Sequence, residues 1–302
     1  MASASLTGCH KKQDQVNYTD IEQLGEFDTT RNITISFYHT MGKELQDKLS
    51  DYIEQFNEIY PNITVEHRQI GTYNDVRDQL SKDLSVGSSA NISYCYPDHV
   101  ASYLKSNKVL NMDLFAEDTK YGYGFSEEEK ADFIESYYNE GKQFGDGHLY
   151  CLPFSKSTEV LYYNKDFFDA NGYEVPTTWD EMEELCRTIK AAHPNDVPLG
   201  YDSSSNLFIT MCEQLNSPYT SADTNNESNS HFLFKNETNI NFVKRLRGWY
   251  KDGLITTADT LGAGGNKLYT SSIFTQKDPE LPRSYMCIGS SAGASNQYSA
   301  NF

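Results

Sequence analysis

The chain has 302 residues, 38% hydrophobic and 13% aromatic, with a formal net charge of −18. That length suits two cores better than one, and that composition is globular rather than disordered. The acidic balance argues against nucleic acid as a partner and against a polybasic hold on anionic lipid, and it serves solubility.

Residues 1–31 read as a tether. "MASASLTGCHKKQDQ" lacks the apolar run of a signal peptide. Yet Leu6-Thr7-Gly8-Cys9 resembles the lipobox at which bacterial lipoproteins are cut and lipidated on cysteine. The polar residues from His10 to Thr30 fit a flexible link behind such an anchor. Cys9 is therefore the expected lipidation site and the expected tie to a membrane, since no stretch reaches the roughly 18 apolar residues of a span. The other five cysteines form no C-x-x-C and no metal spacing with histidine, so no metal or cofactor is expected. Six N-x-S/T sequons offer a competing reading as a glycosylated secreted protein. Two of them, Asn32 and Asn62, open strand-like runs where a glycan is awkward.

From Asn32 the elements alternate. "NITISFYHT" has the period of a strand, with Ile33, Ile35 and Phe37 on one side. A helix follows with Leu45, Leu49, Ile53, Phe56 and Ile59 as its apolar face, ended by Pro61. "NITVEHRQIG" is a second strand, "YNDVRDQLSKDLSVG" a second helix and "ISYCY" a third strand stopped by Pro97. Strands joined by helices in this way lie parallel, and ligands sit outside their carboxyl ends. The residues there are Tyr38, His39 and Thr40, then Tyr73, then Tyr96, Pro97 and Asp98.

Ser126 and Glu129 predict a capping box. Gly145-Asp146-Gly147 predicts a tight turn feeding a strand through "HLYCLPF". "EVLYYN" is a further strand, followed by a short helix closed by Gly172. Thr178 and Glu181 open another helix, whose Glu181, Glu183 and Glu184 read as a solvated face. Residues 216–230 form the clearest loop, and "NFVKRLRGWYKDGLI" is an amphipathic helix. "SYMCIGSSAGASNQY" is a strand that opens a helix, in whose interior the chain stops.

Taken in order, "YHTMGKEL", "YPDHV", "LPFSKSTEVLYYNKDFF", "PTTWDEM" and "MCIGSSAG" resemble an extracellular solute-binding protein of a bacterial ABC importer. The likeness is to the carbohydrate-binding group, and within it to glycerol-3-phosphate binders. It runs from about residue 33 to 302, and Pro153 to Asp166 is its most specific part. The resemblance implies an α/β, two-lobed periplasmic-binding-protein-like fold with a ligand cleft between the lobes. Residues 32–153 would form the first lobe. Residues 154–302 would form the crossover and a second lobe whose C-terminal part is absent. It implies a carbohydrate or polyol ligand, permease partners, a monomer without enzymatic activity, and an extracellular, lipid-anchored location.

Carried over residue by residue, the resemblance makes Tyr73, Ser157 and Ser290 ligand contacts, with Ser157 at the crossover. The family's contacting glutamate falls near Pro97, which leaves Asp98 to serve. "GYDSSSNLFITM" stands where glycerol-phosphate binders carry tryptophans, so Ser204 and its neighbours favour hydrogen bonding over stacking. Family members continue beyond the position of Phe302, where their phosphate-binding arginine lies. A sugar is thus expected ahead of glycerol-3-phosphate or a glycerophosphodiester. A reading of another class, a secreted glycosidase, needs two carboxylates roughly 5–9 Å apart. Asp98 and Asp202 are its candidates.

Overall fold

The computed structural model describes residues 21–26, 28–221, 230–262, 268–276 and 278–298. Cys9 and residues 222–229 of the expected 216–230 loop lie outside them. The chain divides into two compact units, one ending at Phe154 and one beginning at Ser155.

Unit 1 opens with β1 (Ile33–His39), α1 (Lys43–Ile59), β2 (Ile63–Gln69), α2 (Tyr73–Val86), β3 (Ile92–Ser93) and α3 (Pro97–Leu104). The strands are parallel, in the order β2-β1-β3. Alternation along β1 buries Phe37 and His39 on one face, where Leu49 of α1 and Met41 pack on Phe37 with Ile53 and Tyr94 behind. Leu45 and Ile59 depart from the expected apolar face: they are 60% and 71% exposed. Ile59 sits about 80° round the helix from Leu49, off the contact stripe. Thr72 caps α2 through a reciprocal box with Asp75, and Gly87 ends it at φ 76°, a backbone that glycine adopts without strain.

Three short helices follow: α4 (Asp113–Ala116), α5 (Glu127–Asp132) and α6 (Glu135–Glu140). The Ser126–Glu129 box caps α5 as read from the sequence. The Gly145-Gly147 turn is present, but "HLYCLPF" forms no strand. Leu149 is fully buried, so the apolar signal was real. The backbone there bonds to Met112 and Gly141, a helix cap and a helix end, which offer no ladder to extend.

Unit 2 comprises β4 (Glu159–Tyr163), α7 (Lys165–Asn171), α8 (Trp179–Ala192), β5 (Leu199–Tyr201), α9 (Ser204–Gln214), β6 (Thr220–Ser221) and β7 (His231–Phe232). It continues with α10 (Glu237–Lys251), β8 (Ile255–Thr257), α11 (Ala258–Leu261), α12 (Ser271–Phe274), β9 (Met286–Ser290) and α13 (Ala294–Gln297). The main sheet runs β4-β9-β5-β8, with only the β4–β9 pair antiparallel. The register aligns Leu161, Ile288 and Tyr201 on the face that meets Met182, Ile189, Met211 and Trp249. Each such aliphatic side chain contributes about 1.5–3 kcal/mol by leaving water. On the other face a Cβ at Gly200 would stand 2.6 Å from Thr270 Cβ, so only glycine fits.

Thr178 and Glu181 cap α8 as the sequence predicts. Glu183 does not belong to a solvated face. It accepts hydrogen bonds from Arg187 on its own helix and Arg245 on α10, with its side chain 22% exposed. Burial opposes ionisation, but the bonds from the two guanidinium groups hold its pKa below the usual carboxylate value. Helical periodicity placed it outward; the neighbouring helix turns that outward face into an interface.

Candidate functional site

Tyr73 is the first residue of α2, so the Thr72 cap fixes where its ring stands. The ring stacks on Tyr96 at 4.5 Å and 28°, and lies nearly parallel to Tyr94 at 6.2 Å and 10°. Tyr94 meets Phe37 edge-on at 5.6 Å. Phe154, at the end of the unit, packs against Tyr94 at 5.8 Å and Phe37 at 6.5 Å while remaining 63% exposed. These rings form one aromatic wall past the carboxyl ends of β1 and β3. Burial pushes the Tyr94 hydroxyl up to about 12, and burial, Tyr73 and Asp98 raise that of Tyr96. Both therefore stay protonated at neutral pH and can donate as well as stack.

Asp98 is exposed in the first turn of α3, directly after the helix-opening Pro97. Its charge suits a helix N-terminus, and it lies two positions after Tyr96. Tyr73 stacks on Tyr96, and the Asp98 charge acts on the same hydroxyl; Tyr96 lay at a strand end in the sequence but carried no assigned role.

His39 and Tyr38 are placed differently. His39 is fully buried. The Met41 amide donates to its Nδ1 at 3.1 Å, so the ring hydrogen lies on Nε2 and is given to Nδ1 of His67 at 2.9 Å. Burial, then the neighbouring imidazole, lowers its pKa and keeps it neutral. Both ring nitrogens are engaged inside unit 1, beneath the aromatic wall. Tyr38 turns to the other face of β1, where burial and the Asp83 charge raise its pKa.

In unit 2, Ser157 is exposed just before β4. Thr158 and Ser291 exchange bonds: the Thr158 amide donates to Ser291 Oγ at 3.1 Å, and the Ser291 amide to the Thr158 carbonyl at 2.8 Å. That exchange brings the start of β4 against the end of β9. Ser290 is exposed, and its Oγ accepts from the Ala292 amide at 3.2 Å, capping the turn that follows. Ser204 is exposed at the start of α9 and donates to Asp259. Asp202 accepts from the Thr270 amide at 2.8 Å and hydroxyl at 2.7 Å, so one of its oxygens is committed to the fold.

Sequence reasoning missed Glu159. The antiparallel register sets it opposite Ser290. It accepts from the Tyr201 hydroxyl at 2.5 Å, the Thr210 hydroxyl at 3.1 Å and the Asn206 amide at 3.2 Å. Burial, then this carboxylate, pushes the Tyr201 pKa up. No local signal could have found the cluster, because Glu159 lies 42 to 51 residues before its three partners in sequence.

Among the described residues no group of three or more His, Cys, Asp or Glu is placed to hold a metal ion. Nor is any described helix long and apolar enough to cross a membrane.

Residues 42–269 match the family of bacterial extracellular solute-binding proteins. The sn-glycerol-3-phosphate-binding periplasmic protein UgpB of Shigella flexneri is 30% identical over 185 residues, covering 59% of this chain and 40% of that protein. UgpB of Escherichia coli K12 is 29% identical over 163 residues, 53% of this chain and 36% of that one. The chain thus spans well under half the length of these relatives. Among solved structures, UgpB from Mycobacterium tuberculosis in complex with glycerophosphocholine aligns with a TM-score of 0.67 at 14% identity, over 89% of this chain and 63% of that one. The galacto-N-biose/lacto-N-biose I-binding protein of Bifidobacterium longum gives 0.67 at 16%, over 90% and 62%. The sugar-binding protein MalE from Xanthomonas citri gives 0.67 at 16%, over 87% and 61%. These likenesses carry the two-lobed α/β fold.

Proposed function

The chain belongs to the bacterial extracellular solute-binding protein family, and from that premise we propose that it captures a carbohydrate or related polyol for an ABC importer. The observation that carries this reading is the aromatic wall of Tyr73, Tyr94 and Tyr96 with Asp98 beside it. Flat ring faces suit the C–H surfaces of a sugar, and a carboxylate accepts from its hydroxyls. Ser157, Ser204 and Ser290 supply exposed hydroxyls at the strand-end rim of unit 2. His39 acts from below, as a support for the wall, while Tyr38 stays on the other face of β1 and out of the ligand's reach. In this reading the protein is a binding module and not an enzyme, works as a monomer with permease subunits as partners, and is held at the extracellular face of the membrane through Cys9.

A second reading, sn-glycerol-3-phosphate or a glycerophosphodiester as ligand, is favoured by the likeness to UgpB. A thermal-shift panel on the full-length protein separates them: maltose, raffinose and lacto-N-biose against glycerol-3-phosphate and glycerophosphocholine. A ligand at 100 times its Kd adds about 2.7 kcal/mol of stability. Stabilisation by a sugar alone supports the first reading, and by a phosphate ester alone the second. Turnover of chromogenic glycosides would overturn both.

A further inference from the structure

Glu159 sits at the rim of unit 2, next to the segments that carry Ser157, Ser204 and Ser290, yet ligand capture as described above does not use it. A carboxylate has no hydrogen to give at neutral pH, so whatever bonds to it must donate. Tyr201 and Thr210 both donate to Oε2, from the end of β5 and the second turn of α9. Tyr201 is fully buried, which anchors this end of the carboxylate in the core. The third donor is Asn206, whose Nδ2 reaches Oε1 at 3.2 Å.

Asn206 differs from the other two. It is exposed, in the first turn of α9, and its backbone amide is already satisfied by Ser203 Oγ at 3.2 Å. No other protein group among the described residues takes up its Oδ1 or its second amide hydrogen. An unconstrained asparagine can present either end of its amide. Here the carboxylate requires the nitrogen, so Oδ1 is turned away from Glu159 together with one spare N–H. An acceptor and a donor fixed side by side match the donor and acceptor of neighbouring sugar hydroxyls.

We infer that Asn206 is a ligand-contacting residue of unit 2, and that Glu159 is the positioning residue that decides which end of its amide faces the ligand. The inference rests on the reading of this chain as a polyol-binding protein and adds a specificity element to it. The chemistry sets a polarity rule. Glutamine at 159 keeps an oxygen for Tyr201 and Thr210 but puts an NH2 toward Asn206. The Asn206 amide must then rotate, give its Oδ1 to residue 159 and offer the ligand donors only. Aspartate at 206, opposite that glutamine, accepts from its NH2 and again offers an oxygen outward.

The test is calorimetry on the full-length protein with maltose and glycerophosphocholine, alongside thermal unfolding without ligand. Glu159→Gln and Asn206→Asp should each weaken binding by about tenfold, the loss of one hydrogen bond closed off from water by the ligand. The double variant Glu159→Gln/Asn206→Asp should bind at least about threefold tighter than either single variant, because the outward oxygen returns, and stay weaker than the wild type, because the spare N–H does not. Side-chain amide NMR gives a second readout: the Asn206 resonance, identified by its absence in Asn206→Asp, should shift on titration. If Ser290→Ala and Tyr73→Ala weaken binding while Asn206→Ala and Glu159→Gln leave it unchanged, the inference fails and the polyol reading stands. A double variant that recovers thermal stability but not affinity also overturns it, by showing a structural role only. If neither compound binds the wild type, the inference falls with the reading that supports it.

Discussion

Nε2 of His39 lies 2.9 Å from Nδ1 of His67, and the arrangement works only while the His39 ring is neutral. A proton on its Nδ1 would displace the Met41 amide that donates there. Burial has lowered the His39 pKa below its ordinary 6.5. The unfolded chain therefore binds the extra proton first as pH falls through 6.5. Stability should drop from there down to the folded-state pKa and be flat with respect to this group above 6.5. His39→Asn keeps an acceptor for Met41 and cannot titrate, so its melting temperature should lose that slope. Parallel curves for the two proteins between pH 8 and 5 would count against the assignment.

Asp98→Ala should weaken ligand binding at least tenfold, since a hydrogen bond to a charged acceptor is worth about 1.5–3 kcal/mol. Tyr96→Ala should also weaken it, through the lost stacking surface for Tyr73 as well as its own. Calorimetry with the stabilising member of the ligand panel measures both, and an unchanged Kd for the pair would remove the aromatic wall from the site.

Glu183→Ala should lower the melting temperature without changing ligand affinity. The carboxylate joins two helices, but it is partly solvated, so the expected cost is about 1 kcal/mol. Its depressed pKa adds a pH signature. The contribution is present above the ordinary carboxylate value and is lost as pH falls through the folded-state value. Equal melting temperatures for variant and wild type at pH 7 would contradict the bridge.

Gly289→Ala should destabilise unit 2 sharply. A Cβ at that position would stand 2.5 Å from Asp202 Oδ2, and moving the carboxylate breaks its two bonds to Thr270. Core overpacking of this kind costs about 1–3 kcal/mol. Chemical denaturation should show a lower midpoint, and a retained midpoint would show that Asp202 can swing aside freely.

Cys9→Ser in the full precursor should release the protein from the membrane fraction of a bacterial host. If both forms fractionate alike, the lipobox reading is wrong.

What the sequence disclosed was local. The Ser126 and Thr178 capping boxes, the β-α-β rhythm of unit 1 and the strand at Met286 each depend on residues a few positions apart. What it hid was the identity of partners. "HLYCLPF" has the apolarity of a strand but meets a helix end. Glu183 has the spacing of a surface residue until α10 brings Arg245 across. Within the candidate site, Tyr73 and Asp98 were visible from their places after strand ends. The stacking of Tyr73 on Tyr96 is not encoded in periodicity. His39 was visible for the same reason, but the partner of its Nε2 is a histidine 28 residues away.

The strand order of unit 2 has a bearing on how that unit forms. β9, the last strand in the chain among the described residues, lies between β4 and β5, so both must wait for it. Glu159 and Ser290 are cross-strand partners that the ribosome makes 131 residues apart. Such distant pairing carries a large loop-closure cost and slows folding. Until β9 is in place, Leu161 and Tyr201 have no strand between them, β4 has no partner strand and one edge of β5 is open to other chains. During folding unit 2 should therefore remain protease-sensitive until residues 286–290 have paired with β4 and β5. Unit 1, whose β1, β2 and β3 are all complete by residue 93, can begin to fold well before then.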